Sequence, residues 1–178
     1  MPDLKEFNIH LNLPFGIGGV EGTWMPDRKE KLAAWEMYVE LVTRITVVEL
    51  KPDEGLLRES LNSLYSLFDT TRQILRKYGP EIAIPKGNGD EKLSFGFLAV
   101  AVLNQALRPV LAKWHPLLLD YESRKQDGIS PFEHERQWEY SNELRKTLDE
   151  VRRTMIQYAN TLADVAGIPL LPTERKRQ

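Results

Sequence analysis

Three histidines, His10, His115 and His134, supply every imidazole in this chain, and it has no cysteine. Acid–base or metal chemistry would have to come from those rings and nearby carboxylates. His134 sits between Glu133 and Glu135. Neighbouring side chains on a helix point about 100° apart, so these three cannot converge on one ion. A set drawn from His115, His134 and Glu122 or Glu133 lacks the HExxH or ExxH spacing that metal-binding helices use. We expect no metal and no cofactor, and read His134 as a helix-end residue hydrogen-bonding across a turn. Disulfides, thiolate zinc sites and cysteine nucleophiles are excluded outright. In Gly16-Ile17-Gly18-Gly19-Val20-Glu21-Gly22, Glu21 stands where a dinucleotide loop needs its third glycine, and a hairpin follows, not a helix. Gly87-Asn88-Gly89 lacks the Lys-Ser/Thr ending of a phosphate loop and reads as a turn. No Ser/His/Asp order and no isolated carboxylate pair stands out from the surface charge, so an enzyme ranks last among the readings.

Binding is better provided for. Between Leu103 and Pro116, the residues Asn104, Arg108, Trp114 and His115 bring together amide, guanidinium, indole and imidazole. Pro109 and Pro116 lack the N–H that the carbonyls of Gln105 and Ala112 would accept, so each marks an expected kink. A donating guanidinium, a freed carbonyl and a water-excluding indole can form a polar pocket between helices. The plainer reading, which we favour, puts Trp114 in the core and makes Arg108 a snorkelling or ion-paired arm. Phe132, His134 and Trp138 open the last helix, with His134 and Trp138 sharing a face at i, i+4. Asn104, Arg108, Trp114, His115, Phe132, His134 and Trp138 are therefore the candidate ligand- or partner-contact residues. Asp69, Thr70, Thr71 and Arg72 place polar groups midway along the second helix, where such residues set register or line a buried site. Arg145, Lys146, Arg152 and Arg153, with Arg72, Arg76 and Lys77, suggest a basic stripe. Glu143, Asp149 and Glu150 dilute it, so a solvated face is the default.

The elements that must hold these residues follow from periodicity. Leu57, Leu61, Leu64, Phe68, Thr71, Leu75 and Tyr78 step by four and three, as do Ser141, Leu144, Leu148, Val151, Met155, Tyr158, Leu162 and Val165. Each set forms one apolar seam on a helix. We expect a first helix over 27–50 with Trp35, Tyr38, Val42, Ile45 and Val48 inward, and a second over 54–78 stopped by Gly79-Pro80. A third, central helix is expected over 92–122. A fourth runs continuously from the capping box Ser130-Pro131-Phe132-Glu133 to Ala166, ending at Gly167. Phe7, Ile9, Leu11 and Leu13, then Val20, Gly22 and Trp24, alternate as a β-hairpin over 7–24. A short strand is expected at 81–84. At ~1.5 Å per residue the last two helices outreach the first two, so that either Pro116 folds the helix end back over the bundle or an apolar overhang carrying Trp114, Leu117, Leu118, Phe132 and Trp138 awaits a partner. The hairpin should lie at the opposite pole.

The chain has 178 residues, 42% of them hydrophobic, enough for one domain with a real core. The reading is all-α: an antiparallel up-down-up-down four-helix bundle over 27–167 with an N-terminal β-hairpin and a tail over 168–178. A net charge of −2, from 24 basic and 26 acidic residues, argues against a general nucleic-acid binder. No signal peptide is evident, and the uncharged run from Leu93 to Leu107 is shorter than the ~20 residues a bilayer needs. We expect a cytoplasmic protein with no membrane partner. The phrase Leu103 to Pro116 resembles segments of small helical accessory proteins from bacterial anti-phage defence loci. That resemblance implies an accessory or effector-associated module. The leading functional reading is a non-enzymatic helical interaction protein with a protein partner or self-association, aided by a strand able to extend a partner's sheet. A small-ligand or nucleotide sensor with a pocket between helices comes second. A nucleic-acid-binding subunit, using the arginines of the second and fourth helices plus Arg175, Lys176 and Arg177, comes third.

Overall fold

The computed structural model describes residues 5–44, 49, 51 and 53–173. It is mostly helical (64%), with a small β-sheet at the N-terminus. Strand β1 (Phe7–Asn12) pairs antiparallel with β2 (Gly19–Trp24), Phe7 opposite Trp24 and Leu11 opposite Val20. The inward residues Ile9, Leu11, Val20 and Trp24 are buried, as strict alternation requires. A third strand, β3 (Lys92–Leu93), pairs parallel to β2. Gly22 makes that approach possible. A Cβ there would stand 2.2 Å from the Glu91 carbonyl oxygen, which accepts the Thr23 N–H at 3.0 Å. The expected strand at 81–84 is instead part of a 3₁₀ turn, Pro80–Ala83, because Pro80 opens it and Ile82 turns into the core.

Helix α1 (Arg28–Val42) starts at a capping box in which Asp27 accepts from the Glu30 N–H and Glu30 accepts from the Asp27 N–H. It ends at Val42, earlier than expected, as Thr43 bonds back to the Val39 carbonyl. Its buried face is Glu30, Ala33, Ala34, Met37, Tyr38 and Leu41. Trp35, expected inward, is 39% exposed: with Ala34 and Tyr38 in the core, the side chain one step beyond Ala34 points off the seam. Ile45, Val48, Leu50 and Pro52 lie outside the described residues, as does the tail from Glu174.

Helix α2 (Leu57–Tyr78) buries Leu57, Leu61, Leu64, Phe68 and Thr71 along the expected seam. Helix α3 (Phe95–Glu122) is capped by the Ser94 hydroxyl, which accepts from the Phe97 N–H. Its middle, Val102–Leu107, winds as a π turn in which the Arg108 N–H reaches back five residues to the Leu103 carbonyl. This turn directly precedes Pro109. Widening it is how the helix accommodates a ring that cannot donate and crowds the carbonyl four residues earlier. Helical geometry continues through Pro116. By length and composition α3 could cross a membrane, yet 61% of its most apolar stretch is buried inside the fold.

The continuous last helix is overturned. Its start is the short α4 (Pro131–Arg136) with the expected Ser130/Glu133 capping box, and the chain then breaks before α5 (Ser141–Ala166). The break turns Trp138 into the core at 6% exposure and is stabilised by Trp138 N–H to the Glu135 carbonyl and Ser141 N–H to the Trp138 carbonyl. No apolar overhang results: Trp114, Leu118 and Trp138 are buried, with only Leu117 of the expected set exposed and Phe132 half-buried. Helix α5 keeps its seam buried except for the half-buried Leu148, and stops at Gly167 in the left-handed region (φ 73). The hairpin lies along α5, not at the far pole. The Asn12 N–H donates to Gln157 Oε1 at 3.0 Å, Thr154 Oγ1 donates to the Asn12 carbonyl at 3.0 Å, and the Phe15 N–H reaches Glu150 at 3.1 Å.

Candidate functional site

Helices α2 and α3 run antiparallel past one another and meet in a polar ladder. On α2 the rungs are Arg58, Tyr65 and Arg72; on α3 they are Glu122, His115 and Arg108. Each set is spaced seven residues apart, flanking the apolar seam. At one end Arg58 grips Glu122 through Nε (3.0 and 3.1 Å) and Nη2 (2.8 Å), a bidentate fork. Arg58 Nη1 also lies 2.7 Å from His115 Nδ1. A guanidinium only donates, so Nδ1 accepts, leaving the ring neutral with its proton on Nε2. Burial holds the His115 pKa below its ordinary value, the Arg58 charge pushes the same way, and Glu122 opposes weakly. Tyr65 stacks edge-on against His115 with centroids 5.7 Å apart.

Behind this end, the buried Glu135 of α4 accepts the Leu57 N–H at 2.8 Å and the Arg58 N–H at 3.2 Å. It caps α2, which has no local capping side chain. Burial raises its pKa against the pull of those two N–H groups.

The other end of the ladder is not matched. Arg72 and Arg108 both stand over the Phe68 ring, their Cζ atoms 5.9 and 5.4 Å from its centroid. Among the described residues neither has a carboxylate partner, whereas Arg44, Arg58, Arg124, Arg136, Arg152 and Arg153 each have one. Arg108 is steadied by donating from Nε to Asn104 Oδ1 at 3.0 Å, one turn back across the π segment. Between the two halves lies an open groove of about 310 Å³, walled by Tyr65, Phe68, Arg72, Arg108 and His115 and floored by Leu111 and Ala112. Two guanidinium groups, a phenol and an imidazole line it, and no carboxylate does so among the described residues. The wall is rich in donors and positive charge, which suits an anionic group carrying acceptor oxygens.

The structure gathers three of the seven candidate residues here: Arg108 and His115 in the wall and Asn104 behind Arg108. Trp114 does not join them. It is core, and packs edge-on against Trp138 (6.0 Å) and Tyr140 (6.3 Å). Tyr121 stacks on His134 at 4.0 Å and on Trp138 at 5.6 Å. His134 Nε2 lies 2.9 Å from the Tyr121 carbonyl oxygen, and the Tyr121 hydroxyl donates to the His134 carbonyl at 2.8 Å. Phe132 lies under Arg136 with 5.5 Å to its ring centroid. Trp114, Phe132, His134 and Trp138 therefore close the α3–α4 end of the fold and do not form a pocket with Asn104 and Arg108. Among the described residues no group of three or more His, Asp or Glu side chains is placed to hold a metal ion. Three of the seven residues of the basic stripe are paired: Arg152 and Arg153 both bind Asp149, and Lys77 binds Glu36. Arg175, Lys176 and Arg177 lie outside the described residues.

Sequence reasoning missed Tyr65, Phe68, Arg58 and Glu135 as site or supporting residues. The seven-residue spacing of Arg58, Tyr65 and Arg72 beside a leucine seam was the signal available. Glu135 had none, since its role depends on the break before α5. No family model, no curated protein and no solved structure matches the chain.

Proposed function

We propose that the chain is a non-enzymatic helical interaction module and that the α2–α3 groove is its contact surface for an anion-bearing partner. The observation that carries this reading is the pair Arg72 and Arg108: two cations over one ring, with no carboxylate between them among the described residues. Like charges on facing helices repel, and a bound anion converts that cost into two charge-assisted contacts. The non-enzymatic part rests on how the reactive groups are used. His115 Nδ1 is held by Arg58, His134 by Tyr121, and Glu135 caps α2. The same proposal includes the up-down-up-down order of the four long helices, supported by their common core and the antiparallel α2–α3 pair, and a cytoplasmic setting. An accessory role of the kind found at anti-phage loci is compatible with it.

Melting temperatures with sodium phosphate or sodium chloride at matched ionic strength test the reading. Binding to the folded state raises the melting point of the native chain. The variant Arg72→Gln/Arg108→Gln should lose the part of the phosphate effect that exceeds the general salting-out of apolar surface. An identical phosphate response in both proteins contradicts the proposal.

A further inference from the structure

We propose that the partner of this groove is a small molecule of the nucleoside monophosphate class, a phosphate monoester joined to a flat ring. The inference rests on the groove being the binding surface and adds what occupies it. Two features of the groove point to this chemistry. First, Arg72 and Arg108 are two cations, and a phosphate monoester carries about −1.5 to −2 at neutral pH, so one such group matches both guanidinium forks. A single carboxylate leaves one unmatched. Second, the groove continues from the arginines onto an exposed aromatic ring. Tyr65 is 63% exposed, unusual for so large a ring, yet it packs at a right angle against His115, which is held by Arg58, itself anchored by Glu122. An exposed ring on a fixed mount is a stacking platform, and base–aromatic stacking is tolerant of base identity. Tyr65 lies 6.3 Å from Phe68, and Phe68 lies under both guanidinium groups, so platform and cations belong to one continuous surface. At about 310 Å³ the groove falls at the small end of ligand sites, roughly 300–1,000 Å³, a size for one compact molecule rather than a helix. His115 Nε2–H, freed as a donor by the Arg58 contact at Nδ1, adds a hydrogen bond for the sugar or base.

Isothermal titration calorimetry with AMP, adenosine, inorganic phosphate and oligoglutamate, at fixed ionic strength, tests this on the full chain. AMP should bind at least about tenfold more tightly than either phosphate or adenosine, because charge and stacking contribute together. Tyr65→Ala and Arg72→Gln should each weaken AMP binding by about tenfold or more, while Tyr65→Trp preserves it. Both positions are exposed, and circular dichroism and the melting point establish that each variant remains folded. Phosphate binding as tightly as AMP, or Tyr65→Ala leaving AMP affinity unchanged, overturns the nucleotide assignment and leaves the anion groove standing. Tighter, arginine-dependent binding of oligoglutamate overturns it in favour of an acidic protein segment. Absence of binding by every probe overturns both readings.

Discussion

At the scale of single residues, His115 and Tyr158 show how burial changes what a polar group does. The His115 pKa is depressed, so between its folded value and the ordinary value near 6.5 the unfolded chain binds the extra proton. Acidification through that window must therefore destabilise the native state, and a protonated ring would also face the Arg58 guanidinium it now accepts from. Urea unfolding at pH 7.5 and pH 5.5 should show a larger loss for the native chain than for His115→Gln; equal losses refute it. Tyr158 is buried, and its hydroxyl has no partner among the described residues. Burial pushes its phenol well above the ordinary range, so it stays neutral. Since an unpaired buried hydroxyl carries a desolvation cost, Tyr158→Phe should be neutral or stabilise by up to ~1 kcal/mol in denaturant unfolding. A loss greater than ~1 kcal/mol would reveal a hydrogen bond to that oxygen.

Individual elements depend on residues supplied from elsewhere in the chain. Helix α2 begins at Leu57 after Leu56, which offers no side-chain cap, and its first two N–H groups go to Glu135 instead. Glu135→Ala removes an N-terminal cap from a buried helix end, so a loss of about 2 kcal/mol is expected. Amide exchange should accelerate at Leu57 and Arg58 while the seam around Leu64 and Phe68 stays protected; uniform acceleration would show that Glu135 supports the whole fold and not this helix end. The raised pKa of Glu135 gives its charge the opposite sign from that of His115. As pH rises through its folded value, ionising the buried carboxyl subtracts stability. Helix α3 shows the same dependence on context, with the π turn before Pro109 keeping Asn104 and Arg108 on one side, 3.0 Å apart.

For the molecule as a whole, Glu30 is the carboxylate that joins distant parts. It is fully buried and accepts from the Trp24 indole at 2.9 Å, the Phe95 N–H at 3.0 Å, the Asp27 N–H at 3.1 Å and Lys86 at 2.7 Å. Those donors belong to β2, the start of α3, the cap of α1 and the loop before β3. Deleting one partner of a buried, hydrogen-bonded charge typically costs about 3–5 kcal/mol, and Glu30→Ala should cost that much in urea unfolding. A loss under ~1 kcal/mol would mean that the sheet and α3 are held by apolar packing alone. The hub binds the small sheet to the helices, which an isolated hairpin needs because it is marginal in water.

Local sequence determined the seams of α2 and α5, the inward alternation of the hairpin strands, the Ser130/Glu133 cap and the stops at Gly79 and Gly167. Each of these depends on residues within one or two turns of each other, so a local pattern is sufficient. The tertiary structure decided the rest. Helix α5 starts afresh because Trp138 gains more by entering the core beside Trp114 than by continuing a helix. Trp35 lies outside the seam because Glu30 and Ala34 set the buried face of α1. The groove exists because Arg72 and Arg108, unremarkable apart, are carried to the same phenylalanine by two antiparallel helices. Which cations lack an anion depends on which chain segments return to each other, and that information resides in long-range packing, not in the spacing of neighbours.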